Sequence, residues 1–101
     1  MLLSREEFKR KVFARDRSTC VVCYEVAVDA HHLIERKLWP DGGYYVDNGV
    51  SLCEKCHIKA ESTEFSVDFL RKRAKILTVI VPPGFPTNID KWGFIIGEND
   101  V

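Results

Sequence analysis

Seven residues able to hold a metal or move a proton crowd into one span of the chain. Cys20-Val-Val-Cys23 and Cys53-Glu-Lys-Cys56 bracket a stretch containing Ala30-His31-His32-Leu33, and His57 follows the last cysteine directly. No other cysteine or histidine occurs in the 101 residues. Two CxxC pairs are the donor set of a tetrahedral zinc site, each short loop offering two sulfurs and the long excursion joining the halves. Such a site uses Cys20, Cys23, Cys53 and Cys56 and leaves His31, His32 and His57 for other work.

An even cysteine count also fits a disulfide framework. Against this, Met1-Leu2-Leu3 runs straight into Ser4-Arg5-Glu6-Glu7 with no apolar leader, and no apolar run has transmembrane length. A cytoplasmic chain is expected, with thiols reduced and CxxC pairs holding metal. At this length one domain is expected, 1–101, with a core of about 15–63 and a C-terminal extension over 64–101. Net stability for such a chain is about 5–15 kcal/mol and a structural zinc contributes about 10–16 kcal/mol in small zinc peptides, so a chelator-sensitive fold follows.

The flanking patterns say what must position these residues. Ser4-Arg5-Glu6-Glu7 reads as a capping box, and Phe8, Val12 and Phe13 give the following helix, about 5–15, a buried face. Its other face carries Arg5, Lys9, Arg10 and Arg15, either a solvated face or one that grips phosphate. Residues 27–34 read as a strand, on which His31 and His32 must point to opposite faces. The breaker-rich stretch 35–50 reads as a long connection, within which Asn48-Gly49 is also a hairpin-turn signal. Val50-Ser51-Leu52 is a short strand delivering Cys53. A helix opens at His57 and ends near Ser62-Thr63; another spans about 66–74 with Val67, Phe69 and Leu70 inside. Ile76 to Val81 is strand-like and Pro82-Pro83-Gly84 stops it. Trp92 is expected to pack back on the domain or on a partner, and Gly97 to Asp100 to fray.

Charge is balanced at fifteen basic and fifteen acidic residues, so bulk electrostatics do not announce a nucleic-acid binder. The distribution is uneven: residues 1–23 carry six Lys or Arg against three acids, and residues 24–64 carry four against eight.

Over residues 8–61 the CxxC pair, the His-His pair, the Asn-Gly closing the loop and the Cys-x2-Cys-His ending resemble the HNH endonucleases, in the subgroup with a zinc knuckle. Asp90-Lys91-Trp92-Gly93 is similar to a segment of some bacterial and phage members. The resemblance implies an α+β fold with a ββα-metal (His-Me finger) core, stabilised by zinc and extended by N-terminal and C-terminal helices. It implies metal-dependent hydrolysis of phosphodiesters, in DNA first of all, by an intracellular bacterial or phage-encoded protein. His32 would be the general base, a role that suits an imidazole of pKa near 6.5. His31 and His57 would hold the catalytic divalent ion, Mg2+, Mn2+, Ni2+ or Zn2+, and Asn48 would tie the loop to the His32 strand. Only two protein ligands leave positions open for water and phosphate.

Glu61 stands four residues after His57, within reach of the same ion on a helix, where related nucleases have a histidine; a solvated helix glutamate is the other reading. Arg36, Lys37, Lys55 and Lys59 are candidates for phosphate contacts, which carry no sequence information. One site suffices to nick DNA; cutting both strands takes a homodimer or two encounters. The competing reading is a non-catalytic zinc module that binds nucleic acid or protein.

Overall fold

The computed structural model describes residues 2–96. It is an α+β fold of three helices and one two-stranded sheet: α1 (Arg5–Asp16), β1 (Asp29–His32), β2 (Gly49–Leu52), α2 (Glu54–Glu61) and α3 (Val67–Arg73). No helix among these residues is long and apolar enough to cross a membrane.

The two strands pair antiparallel, with Asp29 opposite Leu52, Ala30 opposite Ser51, His31 opposite Val50 and His32 opposite Gly49. A sheet this small is marginal by itself in water. Here both faces are covered, α1 packing on one and α2 on the other, and all four residues of β2 are buried. Alternation then assigns the side chains: Gly49 and Ser51 face α1, while Val50 and Leu52 face the core that α2 closes.

The α1 helix starts where the sequence places it. Ser4 accepts from the Glu7 N–H at 3.1 Å and Glu7 returns a bond to the Ser4 N–H at 3.0 Å, a complete capping box. Phe8 and Val12 are buried and Phe13 is half-buried. Gly49 makes the close docking of α1 feasible, because a Cβ there would come within 2.5 Å of Phe8 and 2.7 Å of Val12. Arg15 is not free to grip a ligand. Its guanidinium pairs with Asp16 and donates to the carbonyls of Val46 and Gly49 at 3.0 and 2.7 Å.

Several elements depart from the sequence expectations. The strand expected over 27–34 is confined to four residues, since from Leu33 onward the backbone turns to bond the Asn48 segment. Asn48-Gly49 makes no hairpin turn; Asn48 ends a single 3-10 turn (Val46–Asn48), the last part of a long connection. The α2 helix opens at Glu54 rather than His57, because Cys53 is its N-cap and its sulfur accepts from the Cys56 N–H at 3.5 Å. Phe69 is half-exposed against Phe65 instead of buried, leaving Val67 and Leu70 as the inner face of α3. Residues 76–81 form no strand: Arg71 takes the carbonyls of Ile76 and Leu77 at 3.0 and 2.9 Å, and Leu77 points to solvent. The expected fraying of Gly97 to Asp100 falls outside the described residues.

Candidate functional site

The four cysteines converge. Cys20, Cys23, Cys53 and Cys56 offer sulfurs that all lie within 4.8 Å of one another, and none is in a disulfide. The first pair sits in a tight knuckle closed by Tyr24 N–H to Cys20 carbonyl at 3.0 Å, with Tyr24 in the left-handed region. The second pair sits at the N-terminus of α2, where free N–H groups favour thiolate charge. Burial alone would raise the Cys20 thiol, but backbone donors of Cys23, Cys53 and Val22 bring it down to about 7. Four soft donors in a closed, largely buried cluster fit a structural zinc. Arg73 braces the knuckle from outside, donating to the Val21 and Val22 carbonyls at 2.9 Å each and to the Tyr24 hydroxyl at 2.8 Å.

The histidines divide as strand alternation requires. His31 turns its ring toward α2 and is 2% exposed. There His31 Nδ1 and His57 Nε2 each lie 3.3 Å from the same oxygen, Glu61 Oε2. These three residues form the second cluster able to hold a metal. His31 Nδ1 is buried, and its polar neighbour there is the Glu61 carboxylate. Glu61, the residue whose role the sequence left open, therefore stands in the cluster, and the i,i+4 spacing from His57 was its signal. Burial pushes His31 down to about 4, opposed by Glu61 and helped by Lys91 and His57. The imidazole of His31 leads the effects that hold Glu61 near 2.

Asp29, not singled out in the sequence, places Oδ2 3.3 Å from His57 Nδ1. A carboxylate behind a ligating imidazole fixes its tautomer and orientation. Its signal was its position two residues before His31, on the same face of β1.

His32 faces α1. Its ring stacks on Phe8 at 4.6 Å and meets Tyr44 edge-on at 5.0 Å. Burial, reinforced by Lys91 and His31, pushes it down to about 4, so it is neutral at physiological pH. It lines a groove of about 680 Å³ whose rim carries Arg5, Lys9, Arg10 and Arg36 against Glu6 and Asp29. Of the basic residues proposed to hold phosphate, Arg36 lines this groove with the α1 side chains, whereas Lys37, Lys55 and Lys59 do not.

The Asn48 amide bonds backbone groups and not the His32 ring. Fully buried, it accepts from the Ile34 N–H at 3.0 Å and donates to the carbonyls of Ile34 and Gly43 at 3.2 Å each, while its own carbonyl takes the Leu33 N–H at 2.8 Å. It pins the chain immediately after His32 to the end of the loop. Lys91, which no local sequence pattern placed here, is 4% exposed and reaches the His32 carbonyl at 3.0 Å.

No family model matches the chain, and neither a curated protein nor a solved structure does.

Proposed function

We propose that the chain is a divalent-metal-dependent endonuclease of the HNH type, acting on DNA phosphodiesters through a ββα-metal core made of β1, β2 and α2. One observation carries this reading. Neighbouring histidines on a four-residue strand serve two different surroundings, His31 joining His57 and Glu61 and His32 lining a groove with basic walls.

His31, His57 and Glu61 would hold the divalent ion, and two imidazoles with one carboxylate leave coordination positions open. When bound, such an ion supplies charge stabilisation to a phosphate oxygen and the leaving oxygen. His32, neutral because it is half-buried between Phe8 and Tyr44, takes the proton from the attacking water. Asn48 holds the backbone after His32, and Arg5, Lys9 and Arg36 orient the phosphate backbone without reading bases. The cysteine site keeps β2 and α2 in register. One such site nicks, and cleavage of both strands takes two copies or two encounters.

Supercoiled plasmid decides between this reading and a zinc module that only binds. The zinc-loaded protein should nick it with Mg2+, Mn2+ or Ni2+, stop with EDTA, and lose at least a hundredfold in rate on His32→Ala with zinc content intact. Retarded but uncut plasmid, or equal rates for wild type and His32→Ala, would refute it.

A further inference from the structure

The turn at residues 90–93 acts on Glu61 twice. Asp90 Oδ1 accepts from the N–H groups of Trp92 and Phe94 at 2.9 and 3.0 Å, and Gly93 takes a positive φ of 91°, so the turn is locally fixed. It presents Lys91 and Trp92 side by side. Lys91 Nζ lies 3.5 Å from Glu61 Oε2, and Trp92 Nε1 donates to the Glu61 carbonyl at 3.2 Å. That carbonyl is in the last turn of α2, where the helix leaves acceptors without partners. The Lys91 ammonium also bonds the His32 carbonyl at 3.0 Å and lies 3.4 Å from Glu35 Oε1, while the Glu35 N–H donates to the Lys91 carbonyl at 2.9 Å.

Burying an ammonium to this extent costs several kcal/mol unless it is fully paired. A lysine that only filled space would be replaced without loss by an apolar residue. We propose that Lys91 is a positioning residue of the divalent-ion centre, holding the Glu61 carboxylate toward His31 and His57 and fixing the strand that carries His32. The inference rests on the reading of His31, His57 and Glu61 as ligands. Glu61 needs such a tie, because it ends α2 and its side chain is 41% exposed. Removing Lys91 also removes a positive charge near the ion, which by itself would favour binding. Glu35 already offsets that charge, so loss of orientation dominates.

The test is Mn2+ binding to zinc-loaded protein, followed by the electron paramagnetic resonance signal of free Mn2+. Wild type should bind one Mn2+ per chain. Lys91→Met should weaken that binding tenfold or more with zinc unchanged, the range found when groups behind metal ligands are removed. Because Lys91 acts through Glu61, Lys91→Met with Glu61→Gln should bind no more weakly than Glu61→Gln alone. Unchanged or tighter binding by Lys91→Met, or additive losses, would overturn the proposal. If Lys91→Met does not fold, Lys91→Gln takes its place; it keeps an N–H donor but loses the charge that holds Glu61. It should weaken Mn2+ severalfold, and unchanged affinity there would overturn the proposal equally. Wild type that holds zinc but no Mn2+ would overturn the ligand reading itself, and the role of Lys91 with it.

Discussion

Asn48→Ala tests whether the residue closing the long loop is a structural clamp for the His32 strand. The side chain makes three hydrogen bonds, but their loss is not equal. The Gly43 carbonyl also accepts from the Tyr45 N–H at 2.8 Å and keeps that partner. The Ile34 N–H and carbonyl lose the Asn48 amide, their only side-chain partner among the described residues, at a site with no exposure. Two buried groups left unpaired at about 1–3 kcal/mol each give a loss of about 4 kcal/mol. That is a large share of the roughly 5–15 kcal/mol available to a domain this size. With a urea slope of about 1–3 kcal/mol per molar, the midpoint should fall by roughly 2 M. Trp39 and Trp92 report unfolding by fluorescence, in zinc-replete buffer. A loss below about 1 kcal/mol would refute the clamp and return Asn48 to an ordinary loop residue. Asn48→Asp sharpens the test. A carboxylate still accepts from Ile34 but confronts two carbonyls, which raises its pKa above the unfolded value near 3.9. Stability is then fully present below that value and lost as pH rises through the folded pKa, so the deficit against wild type should widen from pH 5 to 8. A deficit independent of pH would contradict the bonding assigned to this amide.

Removing the zinc by chelation, or the ligand by Cys53→Ser, should unfold or aggregate the chain, because Cys53 both contributes a sulfur and caps α2; a normally folded, soluble variant in circular dichroism would contradict this. Gly49→Ala should cost about 1–3 kcal/mol by pressing a methyl group on Phe8 and Val12, and should displace Phe8 from the His32 ring; an unchanged melting temperature would count against the close approach of α1. His31, pushed down to about 4 in the folded chain against about 6.5 unfolded, contributes stability that is present above pH 6.5 and lost as pH falls toward 4, on the order of 3 kcal/mol. Without added divalent ion, the difference between wild type and His31→Leu should change by that amount over this interval, a comparison that cancels the shared protonation of the cysteines. A constant difference would show that His31 is not buried neutral.

The parts legible in the sequence are those whose physics is local. The Ser4-Glu7 box starts α1 because both bonds close within three residues, and the two CxxC spacings bring the sulfurs together because each pair spans one tight turn. Alternation on a strand separated His31 from His32 before any partner was known. What escaped the sequence depends on neighbours far away in the chain. Ile76 to Val81 have strand composition, yet Arg71 takes the carbonyls of Ile76 and Leu77. Phe69 has the side chain of a core residue but the wrong angle on α3. Lys91 stood in the sequence only within the Asp90-Lys91-Trp92-Gly93 segment, with no partner assigned, and only the fold carries it 59 residues back to His32.

The two clusters share more than a stretch of sequence. Cys56 and His57 are consecutive on α2, and β2 ends in Leu52 immediately before Cys53, so one helix and one strand serve both sites. The closed cysteine cluster sets the N-terminus of α2, and the turn carrying Lys91 and Trp92 grips its C-terminal residue, Glu61. An eight-residue helix is too short to be stable alone, so His57 and Glu61 can keep their spacing only if both ends are held. A cysteine cluster fit for zinc at one end and a buried ammonium at the other meet that requirement. The cysteine cluster and the C-terminal segment are then parts of one support for His57 and Glu61, although neither contributes a side chain to the cluster of His31, His57 and Glu61.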